Sequence, residues 1–334
     1  MSRRRRKPDF FDDGVLVVDK PAGPTSHDVV ERLRRRFRPA KLGHTGTLDP
    51  FATGVLVLAF NRATRMSNML GSGKKVYAGT VSLGKATDTG DPTGEVTETA
   101  PVPQIGPEQA AEALAALEGE RQQAPPAYSA AKHQGKPLYA YARQGVAVEK
   151  PARAINVGQT KLVAMEPGEI AFELTCSKGT YVRSLAEDLA RGLGTVGHLK
   201  QLRRLASAPF SLGEALELDE ALDLSPQELA GRLIGLSQAL ERAGLPAVEV
   251  DADTAWQLRQ GMILPREIFL TPGSGPALGA FMVLTPEGEL VAVLRWLEPG
   301  ERRPGRDYES MRVFPEQDQG ELEEQTSASA TGAE

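Results

Sequence analysis

Apolar residues fall along the chain with two different spacings, and each spacing predicts a different element. Largely apolar runs over 15–19 and 55–60 predict buried strands, and the strict alternation over 170–176 predicts a half-buried strand. Apolar residues three and four positions apart predict helices over 29–37 and 182–192. The first two-thirds of the chain is therefore expected to combine strands with amphipathic helices.

Capping signals predict where two helices begin. Thr25 and Asp28 have the spacing of a capping box, in which each side chain satisfies a backbone N–H group of the other residue. Ser225 and Glu228 have the same spacing. The second box predicts one continuous helix over 226–242.

The charge distribution indicates which partners the chain suits. The net charge is −5, yet residues 1–209 carry 30 Lys and Arg against 21 Asp and Glu, whereas residues 315–334 carry six acids and no base. A basic body suits a polyanion such as nucleic acid, although a basic surface is more often only solvated. Both ends, 1–10 and 315–334, have the composition of disordered tails.

Two basic segments have patterns that suit RNA. The helix over 29–37 carries arginines on its polar faces, with Lys41 just beyond, and we interpret that surface as a phosphate-binding one. Residues 124–151 interleave tyrosines with Lys132, Lys136 and Arg143. Looped RNA is bound by cations that contact phosphates and by rings that stack on bases.

Several classes of protein and site are excluded by residue content. The single Cys176 excludes a disulfide framework and a multi-cysteine zinc site, and none of the four histidines has metal-ligand spacing. Asp88 and Asp91 lack the spacing of a calcium loop and are interpreted as turn formers. No apolar run approaches the ~20 residues that span a bilayer, and the basic N-terminus is not followed by an apolar signal segment. We therefore expect a cytoplasmic protein without a bound metal.

Residues 41–60, K-L-G-H-T-G-T-L-D-P-F-A-T-G-V-L-V-L-A-F, combine backbone-permissive residues with one reactive group. Gly46 and Gly54 allow positive φ or close approach of another segment, and Pro50 pushes Asp49 toward an extended conformation. The apolar run that follows braces this loop, so Asp49 is a constrained carboxylate beside a buried strand. The spacing alone is equally compatible with a turn acid that precedes a strand.

Four motifs in one order resemble a known family. G-H-T-G-T-L-D-P-F-A-T-G at 43–54 is similar to the signature of the bacterial tRNA pseudouridine synthase B family, whose members isomerise uridine 55 in the T-loop of tRNA. The likeness extends to D-K-P-A-G-P-T-S at 19–26, Y-S-A-A-K-H-Q-G-K-P-L-Y-A-Y-A-R-Q-G at 128–145 and C-S-K-G-T-Y-V-R-S-L at 176–185. Together these motifs cover most of residues 13–210.

The resemblance implies a role for each candidate site residue. It makes Asp49 the nucleophile and places Arg183 beside it, where a guanidinium favours the ionised acid. Tyr77, in a predicted strand, is the third catalytic candidate, which stacks on uracil and moves a proton. The residues assigned to substrate binding are Lys20, His44, Tyr181 and Leu202. Without the resemblance, a strand Tyr is usually a core residue and a loop His usually caps a turn.

The resemblance also implies an architecture. We expect an α+β pseudouridine synthase catalytic domain over 11–245, with a central mixed, mainly antiparallel sheet flanked by helices. An insertion over 124–151 is expected to be mobile and to grip the RNA. The strand pattern over 246–314 resembles the small PUA-like β-barrel that binds RNA.

The expected partner is the T-arm of tRNA, bound by a monomer that needs no cofactor because the isomerisation involves no net redox change or hydrolysis. The alternative is a noncatalytic RNA-binding protein or a tRNA-folding chaperone, which would use the basic helix and the Tyr-rich insertion. That alternative gives no reason for so constrained an acid at Asp49. A hydrolase is disfavoured, since neither a phosphate-loop pattern nor G-x-S-x-G occurs.

Overall fold

The computed structural model describes residues 11–270, 279–302 and 306–315. The chain divides into two compact units, with the division between Gly235 and Leu236. The expected tails, 1–10 and 315–334, lie outside the described residues except for Pro315. The expected domain boundary between residues 245 and 246 stays a prediction.

The first unit is built on one large mixed sheet, called the main sheet here. The strands of this unit are β1 (Gly14–Lys20), β2 (Leu42–His44), β3 (Thr53–Phe60), β4 (Lys75–Leu83), β5 (Lys85–Thr87), β6 (Val96–Thr99), β7 (Gly119–Gln123), β8 (Lys132–His133), β9 (Lys136–Pro137), β10 (Arg153–Glu166), β11 (Glu169–Cys176), β12 (Gly197–Ser207), β13 (Phe210–Ser211), β14 (Leu216–Glu217) and β15 (Ile234–Gly235).

The main sheet follows the order β14-β1-β3-β12-β4-β11-β10-β7, with β2 on β3, β13 on β12 and β15 on β1. Only two of its pairings are parallel, β1 with β14 and β3 with β12, and the others are antiparallel. Two small hairpins, β5-β6 and β8-β9, stand apart from it. The expected mixed, mainly antiparallel sheet of an α+β fold is confirmed.

The first unit also contains seven α-helices among its described residues. They are α1 (Ser26–Phe37), α2 (Ser67–Leu70), α3 (Pro107–Ala115), α4 (Leu138–Ala142), α5 (Val182–Gly192), α6 (Leu218–Asp223) and α7 (Pro226–Ala230). The capping box expected at α1 is confirmed, because Thr25 Oγ1 accepts from the Asp28 N–H at 3.0 Å and Asp28 accepts from the Thr25 N–H at 2.9 Å.

Two apolar cores fix these helices on the sheet. One core places Leu185 and Leu189 of α5 with Tyr77, Phe172 and other buried residues of β4, β11 and β12. The other joins α1, α6 and α7 to β1 and β3. Burial of apolar surface at about 25 cal/mol per Å² makes such cores the main source of stability. The first core therefore holds α5 rigidly against the strand that carries Tyr77.

The helix predicted over 226–242 is wrong as a single element. Helix α7 ends at Ala230, and β15 follows it before the next helix begins at Leu236. The cause is tertiary pairing, since Ile234 lies opposite Val15 in an antiparallel ladder with β1. Strand pairing replaces the helical hydrogen bonds that local sequence favours at this position.

The second unit contains helices α8 (Leu236–Arg242) and α9 (Ala252–Arg259) and strands β16 (Ala247–Glu249), β17 (Ala280–Leu284), β18 (Leu290–Trp296) and β19 (Tyr308–Val313). Among its described residues the strands pair in the order β16-β17-β18-β19. Four aromatic rings pack in its core: Phe269, Phe281, Trp296 and Tyr308. The expected PUA-like barrel stays a prediction. Within the described parts of the chain, every helix is too short or too polar to cross a membrane.

Candidate active site

Asp49 lies in the loop over 45–52, called the Asp49 loop here, between strands β2 and β3. The two strands pair antiparallel, with His44 opposite Leu58, so the two strands that flank the loop are hydrogen-bonded to each other. Within the loop the N–H of Ala52 donates to the Asp49 carbonyl at 3.1 Å, which closes a tight turn. The structure thus gives the carboxylate of Asp49 a defined backbone.

Arg204 holds the Asp49 loop from strand β12. Its buried guanidinium donates to three backbone carbonyls, those of Gly46 at 3.2 Å, Thr47 at 3.2 Å and Val55 at 2.7 Å. The backbones also approach closely, because Gly54 pairs with Arg204 and a Cβ at Gly54 would overlap the Arg204 carbonyl. Gly54 has φ 101°, so this approach requires glycine.

Lys20 holds the same loop from strand β1. Its side chain is fully buried, and its Nζ donates to the carbonyls of Pro21 at 2.8 Å, Pro24 at 2.8 Å and Pro50 at 3.2 Å. Burial lowers the pKa of Lys20 to about 8, and the negative charge of Asp49 opposes this shift. Lys20 therefore contacts the backbone of the loop, and its expected substrate-binding role stays a prediction.

Arg183 joins Asp49 to a second carboxylate. Its Nε lies 3.0 Å from Asp49 Oδ2, and its Nη1 lies 3.4 Å from Asp91 Oδ2. The same guanidinium donates to the carbonyls of Thr89 and Tyr128, the latter at 2.6 Å. A planar guanidinium with partners on each nitrogen has one orientation, so Arg183 is a fixed cation beside Asp49.

The protonation of Asp49 is set by opposing effects. Burial raises the pKa of Asp49 above its ordinary value of 3.8, Arg183 and Lys20 lower it, and the charge of Asp91 raises it. The net shift is upward, even though 34% of the Asp49 side chain is exposed. The carboxylate is therefore partly desolvated yet accessible to another molecule.

Tyr77 and Leu202 lie on neighbouring strands of the main sheet, β4 and β12. Tyr77 is buried, and it lies directly opposite Arg204 in the pairing of β4 with β12. Burial raises the pKa of Tyr77, and the positive charge of Arg204 opposes that shift. The same Arg204 thus contacts both the Asp49 loop and Tyr77, which fixes the two relative to each other.

Tyr181 immediately precedes α5. Its N–H donates to Gln123 Oε1 at 2.7 Å, and its carbonyl accepts from Gln123 Nε2 at 3.1 Å. This pair of hydrogen bonds fixes the backbone from which Arg183, two residues later, reaches Asp49. The segment that leads from β11 into α5 therefore positions the side chains of Tyr181 and Arg183.

One cleft of about 330 Å³ collects most of these side chains. The predicted site residues that line it are Asp49, Tyr77, Tyr181, Arg183 and Leu202. Lys20 and His44 are not among its lining residues. His44 is half-buried in β2, its Nδ1 has no hydrogen-bond partner among the described residues, and burial lowers the pKa of His44. The cleft has the size of a small-molecule or single-nucleotide site.

Comparison with known proteins identifies the family of this chain. Residues 34–182 match the family described as TruB family pseudouridylate synthase (N terminal domain), and residues 183–243 match the tRNA pseudouridylate synthase B C-terminal domain. The tRNA pseudouridine synthase B of Aromatoleum aromaticum is 48% identical over 252 residues, which cover 75% of this chain and 81% of the relative. The chain belongs to the TruB family. The tRNA pseudouridine synthase B of Geobacter sulfurreducens is 42% identical to this chain over 304 residues, which cover 90% of this chain and 99% of the relative.

Solved structures agree on the TruB fold. A chain in the crystal structure of a Cbf5-Nop10-Gar1 complex matches with a TM-score of 0.68 and 24% identity, over 90% of this chain and 85% of that chain. At this identity the likeness shows the fold. The expected family and fold class are both confirmed.

Two buried charged residues of this TruB-family site, Asp91 and Arg204, were not predicted as site residues from the sequence. Asp91 does form a turn, since it accepts from the Thr93 N–H at 2.9 Å, but its second carboxylate oxygen faces Arg183. No local signal shows this contact, because it joins distant parts of the chain. Arg204 had a usable signal: strand alternation places it on the same face as Leu202, which is apolar and buried.

Asp49 and Asp91, the two acidic residues beside Arg183, both form ion pairs. Arg183 lies between Asp49 and Asp91 and pairs with both. Among the residues that the structure describes, no group of three or more His, Cys, Asp or Glu side chains is arranged to hold a metal ion. Arg183 places a positive charge directly beside Asp49.

Proposed function

We propose that this TruB-family enzyme converts uridine 55 in the T-loop of tRNA to pseudouridine, with Asp49 as the nucleophile. The observation that carries the proposal is the contact of 3.0 Å between the buried Arg183 and the accessible carboxylate of Asp49, within a cleft that Tyr77 and Leu202 also line. The relatives named tRNA pseudouridine synthase B support tRNA as the substrate.

The chemistry needs an ionised carboxylate beside the ribose and the base. The bond between ribose C1′ and the base nitrogen breaks, the base turns, and a bond forms between C1′ and carbon 5. Carbon 5 then loses its proton and the vacated nitrogen gains one, either directly or by exchange with solvent. Atoms and electrons balance without an oxidant or water. In this scheme an Asp49 oxygen bonds to C1′ as the base nitrogen leaves, as carboxylates do at sugar carbons in glycosidases, and this bond breaks again when carbon 5 attacks C1′. Arg183 keeps this acid ionised and aimed.

The target base has to leave its stack before it reaches Asp49. Enzymes that act on bases extrude the nucleotide into a pocket and fill the gap that it leaves. Tyr77 and Leu202 offer a ring and an apolar wedge in the cleft, and His44 lies at the strand that leads into the Asp49 loop. Tyr181 contacts the sugar in this scheme.

The phosphates of the T-arm are proposed to bind the polar surface of α1. Two of its arginines have structural partners, since Arg34 donates to the Leu42 carbonyl and Arg36 donates to the carbonyls of Leu222 and Leu224. The exposed cations left for phosphate are Arg32, Arg35, Arg38 and Lys41. The protein acts in this proposal as a cytoplasmic monomer, and residues 124–151 close over the RNA.

The alternative is a noncatalytic RNA-binding protein or a tRNA-folding chaperone. Binding alone would use the cations of α1 and the tyrosines of the insertion. It would not need a buried guanidinium shared between Asp49 and Asp91, whose burial costs free energy without strengthening contact with RNA. We therefore rank the synthase first.

The test is to map pseudouridine in tRNA from cells with and without the gene for this protein. Cells without it should lose pseudouridine at position 55 alone, and a restored copy should return it. The purified protein should then form pseudouridine at that position in an unmodified tRNA transcript. Unchanged position 55 in cells, together with binding but no conversion in vitro, would favour the chaperone.

A further inference from the structure

Residues 129–131 of the insertion form one wall of the cleft, and Tyr128 directly precedes them. The backbone of residues 128–131 is held at three points: Arg183 donates to the Tyr128 carbonyl at 2.6 Å, the Tyr139 N–H donates to the Ser129 carbonyl at 3.2 Å, and the Leu138 N–H donates to the Ala131 carbonyl at 2.8 Å. One of these anchors is the same guanidinium that contacts Asp49. This wall is therefore positioned together with the catalytic carboxylate.

Ser129 is the polar side chain of this wall. It is 4% exposed, and its hydroxyl oxygen is buried without a hydrogen-bond partner among the described residues. A buried hydroxyl without a partner destabilises the folded state, and such groups are rare in proteins. The folded chain thus retains a destabilising group at the edge of its own active site.

Two other buried side-chain groups of the first unit also have no partner among the described residues, His44 Nδ1 and Thr195 Oγ1. Neither of these residues lines the cleft, whereas Ser129 does. Ser129 is therefore set apart by combining an unused hydroxyl with a position facing Asp49, Tyr77 and Leu202 across the same space.

We propose that the Ser129 hydroxyl hydrogen-bonds the target uridine and is a substrate-binding residue of this enzyme. The inference rests on the proposed function. A hydroxyl both donates and accepts, so it can pair with the uracil N3–H, a uracil carbonyl or the ribose 2′-hydroxyl. Rotation about the Ser129 Cα–Cβ bond among its staggered positions turns the oxygen toward the cleft without moving the anchored backbone.

Such a role predicts an unusual pair of effects for Ser129→Ala. Removing an unpartnered hydroxyl should leave the melting temperature of the free protein unchanged or raise it. Removing a contact with the substrate should lower kcat/KM about fivefold to tenfold, the effect of one neutral hydrogen bond. A purely structural serine would produce the opposite pair, with lower stability and unchanged activity.

The matched control is Thr195→Val, which removes the other unpartnered hydroxyl of the first unit while keeping the side-chain size. It should likewise preserve or raise the melting temperature, but kcat/KM should stay at the wild-type value. The substrate is a T-arm stem-loop with uridine at the target position, and thermal unfolding is followed on each full-length protein.

Modified targets then identify the atom that Ser129 contacts. With 2′-deoxyuridine, 2-thiouridine or 4-thiouridine at the target position, the difference between wild type and Ser129→Ala should disappear for the analogue that lacks or weakens the contacted atom. If the difference persists for all three, N3–H remains as the partner, and 3-methyluridine should abolish it.

The outcomes separate this inference from the proposed function. An active wild type with an equally active Ser129→Ala overturns the inference alone, and so does an equal loss in Thr195→Val. Inactive wild type on every T-arm substrate overturns the proposed function, and the role of Ser129 with it.

Discussion

Arg183 Nε lies 3.0 Å from Asp49 Oδ2, and the two partners differ sharply in exposure, with 4% of the arginine side chain exposed against 34% of the aspartate. The cation is therefore enclosed by protein while the acid faces the cleft. Asp91 and two backbone carbonyls fix the rest of the guanidinium. A carboxylate arranged in this way has its counter-charge in place before a substrate arrives, which is the preorganisation that the proposed nucleophile needs.

The raised pKa of Asp49 predicts the acid limb of the pH–rate profile. In the proposed mechanism Asp49 acts in its ionised form, and because burial moves the pKa of Asp49 upward, that form is lost at a higher pH than for an ordinary aspartate as the pH falls. We expect kcat/KM on a T-arm stem-loop to decline below a midpoint that exceeds the ordinary value of 3.8.

Asp91→Asn tests the cause of that limb. Removing the charge of Asp91 removes an effect that raises the pKa of Asp49 and frees Arg183 to favour the ionised acid, so the midpoint should shift to lower pH. Asp188→Asn is the control, since Asp188 is an exposed acid that pairs with Arg121. A midpoint that stays at its wild-type pH in Asp91→Asn would show that another group controls the limb.

Local patterns predicted the elements that carry the site better than they predicted the site. Helices α1 and α5 and strands β3 and β11 occur where apolar spacing and capping placed them, because each buries one apolar face that is visible in its own sequence. The prediction of one helix over 226–242 was wrong because Ile234 pairs with Val15, a residue near the other end of the chain, in a β-ladder.

The site depends on such distant contacts throughout. Arg183 meets Asp91 only because α5 packs beside the turn after β5, and Arg204 meets Val55 only because β12 pairs with β3. Local spacing carries no information on either meeting. The motifs of the family resemblance supplied Asp49 and Arg183, whereas Asp91, Arg204 and Ser129 required the fold.

Arg204→Met should strongly destabilise the first unit. The substitution leaves the buried carbonyl of Val55 and the partly buried carbonyls of Gly46 and Thr47 without their donor, which should cost about 2–4 kcal/mol in the free energy of unfolding. Arg203→Met is the matched control on the neighbouring residue, whose half-exposed side chain pairs with Asp19, and it should cost about 1 kcal/mol or less. Urea unfolding followed by far-ultraviolet circular dichroism measures both, and equal losses would contradict the bracing role of Arg204.

Activity should survive removal of divalent metal ions. The isomerisation needs no Lewis acid, and Arg183 supplies the positive charge beside Asp49. The measurement is the rate on a short T-arm hairpin in the presence of EDTA, since a hairpin separates catalysis from the magnesium that full tRNA needs for folding. A rate that EDTA abolishes and zinc restores would overturn this expectation.

Removing the C-terminal part should weaken tRNA binding but spare catalysis on a small substrate. Every predicted site residue precedes residue 210, so a chain ending at Gly235 or at Leu245 should convert an isolated T-arm stem-loop at a rate within about tenfold of wild type. Comparing the two lengths also tests the boundary, because only the longer one retains α8. A shortened protein that is folded yet inactive on the stem-loop would place part of the active site after the cut.

Asp49→Asn separates the enzyme from the chaperone. Asparagine keeps the size and most of the hydrogen-bonding capacity of the side chain but removes the charge and the nucleophile. Binding should persist, since phosphate contacts along α1 are untouched and the loss of an anion beside RNA favours association. Formation of pseudouridine should fall by on the order of four decades or more, as when a covalent catalyst loses its nucleophile.

Single-turnover conversion and a tRNA-binding titration on the same folded protein measure the two effects. If Asp49→Asn converts uridine within about tenfold of the wild-type rate, Asp49 is a turn residue and the covalent mechanism is wrong.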